Sequence, residues 1–150
     1  MTSAASVEGF VGQKTLAIVG ASRSGQKMGN VILKELTAKG YTVYPVHPEA
    51  SRIGEQNAYP SLRELPEPVG GVVISVKPER TAEIIRDAHQ AGITRVWIQQ
   101  GAHTDDALAA CDQYGMDAVS GECILMFAEP VQSIHRFHRF FRRVFGRMPA

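Results

Sequence analysis

Five short apolar runs alternate with longer stretches of helical periodicity, which predicts an α/β fold: a Rossmann-like, doubly wound, five-stranded parallel sheet with a C-terminal amphipathic helix. Two further observations support it. The first apolar run ends in a glycine-containing loop, and a helical pattern follows at once. Glycines and prolines fall between the runs, where a strand or helix must stop. Right-handed crossovers then limit the topology to a Rossmann-like or flavodoxin-like sheet with its switch point beside strand one.

Each element has its own signal. Residues 15–19 are a buried strand. Residues 28–39 carry Met28, Val31, Ile32, Leu33 and Leu36 at helical spacing, and Gly40 ends that helix. Residues 41–46 are β-branched and aromatic, a second strand stopped by Pro45 and Pro48. A short helical turn runs to Leu65, with Ser61 as its cap. Residues 71–76 form the third strand. Pro78 opens a helix to residue 91, closed by Gly92. Residues 94–98 are the fourth strand. Thr104 caps a helix to residue 114, with Asp105 and Asp106 in its first turn and Gly115 after it. Residues 116–119 are the fifth strand, and helical residues resume near Pro130.

The chain of 150 residues and net charge +1 suits one domain and gives no global reason to expect nucleic acid. No run of eighteen apolar residues exists, so no membrane span is expected. Residues 1–13 are small and polar, without a signal-peptide pattern, and are expected to be flexible. Residues 14–128 form the predicted domain. Two cysteines, Cys111 and Cys123, make no disulfide framework, and a cytoplasmic location is the expectation. Histidines and cysteines show no metal-ligand spacing.

Ligands of such sheets sit outside the carboxyl ends of the strands. After strand one, Gly20, Ala21, Ser22, Arg23, Ser24, Gly25 and Lys27 lead into a helix start, where backbone N–H groups and the helix dipole favour an anion. The spacing matches neither the dinucleotide fingerprint nor the P-loop. After strand two stand His47 and Pro48; after strand three, Ser75, Val76, Lys77 and Pro78. After strand four come Gln99, Gln100 and Gly101, and after strand five Cys123. A dinucleotide site usually carries an acid at the end of strand two. His47 stands there and Glu49 follows only after a proline, which counts against NAD. Lys77 and Arg23 suit a ligand with several phosphates.

Five motifs occur in a fixed order: Val-Gly-Ala-Ser from Val19, Gly-Tyr-x-Val-Tyr-Pro-Val-x-Pro from Gly40, Tyr-Pro-Ser-Leu from Tyr59, Ser-Val-x-Pro from Ser75, and Val-Trp-Ile-Gln-x-Gly from Val96. In these the chain resembles the small CoA-binding domain proteins, relatives of the N-terminal domain of the succinyl-CoA synthetase alpha subunit. The resemblance runs from about Lys14 to Leu125. It implies a Rossmann-like domain that binds coenzyme A through its adenosine diphosphate part. It further implies Ser22 to Gly25 on the pyrophosphate, and His47 and Pro48 near the ribose or adenine. Val76 and Pro78 would lie against adenine or pantetheine, and Gln99 to Gly101 along the pantetheine arm. Many relatives carry Asn where His47 stands.

Cys123 has two readings: a small buried hydrophobe, or a thiol placed where the pantetheine thiol of coenzyme A arrives. Residues 133–147 set Ile134, Phe137, Phe141 and Val144 on one helical stripe, widened by Phe140 and Phe145, with Arg136, Arg139, Arg142, Arg143 and Arg147 beside it. With those arginines set aside, eleven basic residues face fifteen acidic ones, so the charge is polarised. Residues 129–150 are expected to pack on the same domain with the arginines in solvent. A homodimer contact, and an anionic membrane or nucleic acid, are the other readings.

The functional expectation is a module that binds coenzyme A or an acyl-CoA without catalysis of its own. Acyl–phosphate exchange would need a nucleophilic histidine and a nucleotide-grasp module, for which this length has no room. The alternatives are an NAD(P)- or other nucleotide-dependent enzyme, and an interaction or regulatory protein acting through the arginine–phenylalanine segment.

Overall fold

The structure, a computed structural model, describes residues 2–128. Its elements in chain order are α1 (Ala4–Val11), β1 (Thr15–Val19), α2 (Met28–Ala38), β2 (Thr42–Val46), β3 (Arg52–Ile53), β4 (Gln56–Asn57), β5 (Gly71–Ile74), α3 (Pro78–Gln90), β6 (Arg95–Gln99), α4 (Asp105–Gln113) and β7 (Asp117–Glu122). Short 3-10 turns cover Leu62–Glu64 and Ile124–Met126.

Five strands form one parallel sheet in the order β2-β1-β5-β6-β7. The chain steps outward from β1 to β2, then crosses back to β5 on the other side of β1. The switch point therefore lies between β1 and β5, as the alternation predicts. Register brings Val19 opposite both Val46 and Ile74. The ends of β1, β2 and β5 are thus level, and the loops that leave them share one edge.

Both faces of the sheet are covered, so the strands read as continuous apolar runs. Leu16, Ile18, Val73 and Trp97 pack beneath α1 and α2. Ala17, Val72, Ile74, Val96 and Ile98 pack beneath α3 and α4 with Ile85, Ala88 and Ala107. Thr104 caps α4 as predicted: its hydroxyl accepts from the Ala107 amide at 3.0 Å. Ser61 holds the position before the 3-10 turn, but its hydroxyl donates to the Glu64 carboxylate at 2.8 Å and caps no backbone group.

Residues 2–13 differ from the flexible stretch expected there. Residues 4–11 form α1, capped by Ser3, whose hydroxyl accepts from the Ser6 amide at 3.0 Å. Val7 and Phe10 are fully buried, and the Phe10 ring meets Trp97 edge-on with centroids 5.5 Å apart. Thr2 is tied to β7: its hydroxyl donates to the Ser120 carbonyl and accepts from the Ser120 amide. Tyr41 donates its phenol to the Val11 carbonyl at 2.7 Å. Two turns of helix carry too weak a local signal; the sheet face holds them. The β3–β4 hairpin was also not legible, because its strands are only two residues long. The amphipathic helix predicted over residues 129–150 lies outside the described residues.

Candidate functional site: a cationic cleft at the switch point

Gly20 ends β1 with φ 131°, a conformation L side chains rarely adopt. A Cβ there would also run into the Ser75 carbonyl, because the chains leaving β1 and β5 touch at this point. At the start of α2 a Cβ on Gly29 would stand 2.5 Å from the Gly20 carbonyl carbon. These two glycines let the helix start sit directly on the strand end. Met28 and Gly29, the first residues of α2, have no intrahelical partner for their N–H groups.

Asn30 organises the loop between them. Its Oδ1 accepts from the Ser22 amide at 2.9 Å and the Lys27 amide at 3.2 Å, and its Nδ2 donates to the Ser22 carbonyl at 2.9 Å. Ser22 and Ser24 hydroxyls meet at 2.8 Å at the loop tip. Asn30 lies in the third position of α2, so its side chain closes the helix start in the manner of a capping box.

After β2, the His47 amide donates to the Tyr59 carbonyl, and the ring Nδ1 accepts from the Glu49 amide at 3.0 Å and the Ala50 amide at 2.9 Å. An imidazole nitrogen that accepts is unprotonated, so the neutral ring carries its proton on Nε2. Nδ1 thereby does what an Asn oxygen does in a turn of this kind.

These loops enclose a cleft of about 390 Å³, lined by Val19, Gly20, Ala21, Ser22, Lys27, Val46, His47, Pro48, Glu49, Ser75, Val76, Lys77 and Arg80. Its size falls in the range of small-molecule sites. Val19, Val46 and Val76 give apolar surface. Three cations and one carboxylate give the wall a positive balance. Arg23 stands outside the lining and faces Glu49, with Nη2 3.7 Å from the carboxylate.

A larger cleft of about 500 Å³ opens between Leu62–Val69 and Gln90–Ile93. Those residues precede β5 and β6, so it lies at the amino ends of the strands. Neither the glycine loop nor the helix start reaches it, and size alone does not make it the site. Among the described residues, no group of three or more His, Cys, Asp or Glu side chains is placed to hold a metal ion. No helix there is long and apolar enough to cross a membrane. Burial pushes the Cys111 thiol up to about 11, and a hydrogen bond to the Glu67 carboxylate pushes the Tyr44 phenol up to about 12. Neither residue lines the cleft.

The sequence matches the CoA binding domain family over residues 14–129. The chain belongs to that family. It is 35% identical over 95 residues to an ADP-forming acetate–CoA ligase II from Archaeoglobus fulgidus, an alignment covering 62% of this chain and 14% of the ligase. The chain therefore spans a small part of that relative's length. A conserved hypothetical protein from Pyrococcus furiosus superposes with TM-score 0.71 at 35% identity, over 75% of this chain and 97% of that one. A hypothetical protein from Pyrococcus horikoshii OT3 gives 0.77 at 27% identity, over 93% and 92%.

In this CoA-binding domain the residues singled out from sequence divide into three groups. Gly20, Ala21, Ser22, Lys27, His47, Pro48, Ser75, Val76 and Lys77 line the cleft together. Arg23, Ser24 and Gly25 form the exposed outer part of the same loop. The remaining five lie elsewhere. Pro78 borders a separate groove with Glu79, Ala82, Thr104 and Asp106. Gln99 is 3% exposed: its Oε1 accepts from the Ile124 amide at 2.8 Å, and its Nε2 contacts Cys123 Sγ at 3.4 Å. Gln100 and Gly101 are exposed beyond β6, and Cys123 is half-buried. Arg80 and Asn30 were not legible. Arg80 reaches the cleft from inside α3, and Asn30 acts from behind the loop. Only an Asn eight residues after Ser22, on the first turn of a helix, hinted at the latter.

Proposed function

We propose that this chain binds coenzyme A or an acyl-CoA as a binding module, with the adenosine diphosphate part in the cleft between β1, β2 and β5. The observation that carries this reading is the cleft itself: the switch point, the glycine-dependent helix start and three cations come together there in a CoA-binding-family chain. The pyrophosphate lies over Ser22–Gly25 and the first amides of α2, with Lys27 and Lys77 neutralising it. The ribose and adenine lie toward His47 and Pro48, with His47 Nε2 as a donor. Val76 supplies apolar surface. The pantetheine arm runs outward past Gln100 and Gly101 toward Cys123.

The module reading draws support from relatives that consist almost wholly of this domain. The Pyrococcus furiosus and Pyrococcus horikoshii proteins are matched along 97% and 92% of their lengths, whereas the acetate–CoA ligase is matched along 14%. A reaction of that ligase's kind would use groups beyond this domain. Titration calorimetry with CoA, ADP and NAD side by side tests the assignment. CoA binds tightest, ADP retains part of the affinity, and NAD is weakest, because it brings less negative charge to Lys27, Lys77 and Arg80 than either of the others. Equal or stronger binding of NAD overturns the reading in favour of a nicotinamide site.

A further inference from the structure

We propose that the Arg23–Glu49 ion pair sets how the cleft discriminates between ligands with a phosphate on the ribose and ligands with free ribose hydroxyls. This rests on the nucleotide-binding reading above. The end of β2 is where sheets of this kind meet the ribose, with an acid for free hydroxyls or an arginine for a phosphate. This chain brings one of each to that place. Arg23 comes from the loop after β1 and Glu49 from the loop after β2, 3.7 Å apart.

The pair is weak and open to exchange, since the two side chains are 64% and 73% exposed. Glu49 lines the cleft and Arg23 does not. A ligand at the end of β2 therefore meets a carboxylate first, with its cation behind it. A ribose with free hydroxyls can donate to Glu49 and leave the pair intact. A ribose phosphate recruits Arg23, because guanidinium pairs well with phosphate. Glu49 is then left uncompensated beside a second anion. Lys27 comes from the start of α2, and Lys77 and Arg80 from the start of α3, and the reading above gives Lys27 and Lys77 to the pyrophosphate. Glu49 thus tempers the preference for a ribose phosphate, and Arg23 supports it.

Coenzyme A and dephospho-coenzyme A differ only in the ribose phosphate, so the ratio of their dissociation constants isolates the effect. Calorimetry on the full chain, with native protein, Glu49→Gln and Arg23→Gln, measures that ratio. Glu49→Gln shifts it toward CoA by about five-fold, and Arg23→Gln shifts it toward dephospho-CoA by a similar factor, the scale of one unit-charge pair about 4 Å apart in water. Both shifts shrink as salt is raised. A ratio unchanged within experimental error in both variants, with the native chain still binding, overturns this inference and leaves the nucleotide reading standing. Binding of neither ligand by the native chain overturns both.

Discussion

Asn30 is the residue on which the shape of the loop after β1 depends. One side chain holds the Ser22 and Lys27 amides and the Ser22 carbonyl, which lie at the two ends of that loop. Asn30→Ala leaves those groups to solvent and costs about 1–2 kcal/mol, in line with the loss of a helix cap. Chemical denaturation checks the stability, and calorimetry checks a matching loss of CoA affinity. Asn30→Asp retains the acceptor and restores part of the stability, but its charge beside the proposed pyrophosphate keeps the affinity low. His47 permits the same kind of argument on β2. Its Nδ1 caps the turn to Ala50, so His47→Asn stays within about 0.5 kcal/mol of the native chain, whereas His47→Ala costs about 1 kcal/mol. Were the alanine variant as stable as the asparagine one, the histidine would be no turn cap. Neither role was visible in the sequence. The strand-end rule names residues that face the ligand, and these two side chains act on backbone amides, whose direction depends on how the loop folds.

At the scale of elements, legibility followed length. Strands β1, β2, β5, β6 and β7 and helices α2, α3 and α4 all announced themselves, because a sheet buried on both faces needs unbroken apolar runs and its helices need a stripe. Helix α1 did not, since its eight residues include Ala4, Ala5, Ser6, Glu8 and Gly9, and only Val7, Phe10 and Val11 are buried. Its stability is borrowed from the sheet. Phe10 is the anchor: fully buried, it meets Trp97 edge-on and closes over Gly71, where a Cβ would stand 2.5 Å from the Phe10 ring. Phe10→Ala therefore costs about 3–4 kcal/mol, the usual loss for a buried phenylalanine. Hydrogen exchange is the sharper measurement, because α1 amides lose protection before those of β1 and β5. Equal loss across the sheet would mean that α1 and the sheet open as one unit.

For the whole molecule, topology explains why some predicted site residues meet and others do not. The rule of reading strand ends treats all five strands alike, but only β1, β2 and β5 surround the switch point. The loops after them converge, so nine residues named from sequence line one cleft. Strands β6 and β7 continue away from it, and there Gln99 turns into the core to hold the Ile124 amide. The same topology links the cleft to global stability. A ligand bound across the ends of β1, β2 and β5 joins elements that must separate on unfolding, and binding to the folded state alone raises its stability. Trp97, the single tryptophan, is fully buried in the sheet between Phe10 and Phe127, so its fluorescence reports unfolding. With CoA at one hundred times its dissociation constant, the gain is about 2.7 kcal/mol. For a chain of this size that moves the melting midpoint up by about 5–10 °C. Gly20→Ala, which drives a Cβ into the Ser75 carbonyl at a positive φ, lowers the midpoint without ligand, by about 3 kcal/mol in stability, and reduces the CoA-dependent rise. A full rise in that variant would move the ligand away from the glycine loop, toward the cleft at the amino ends of the strands.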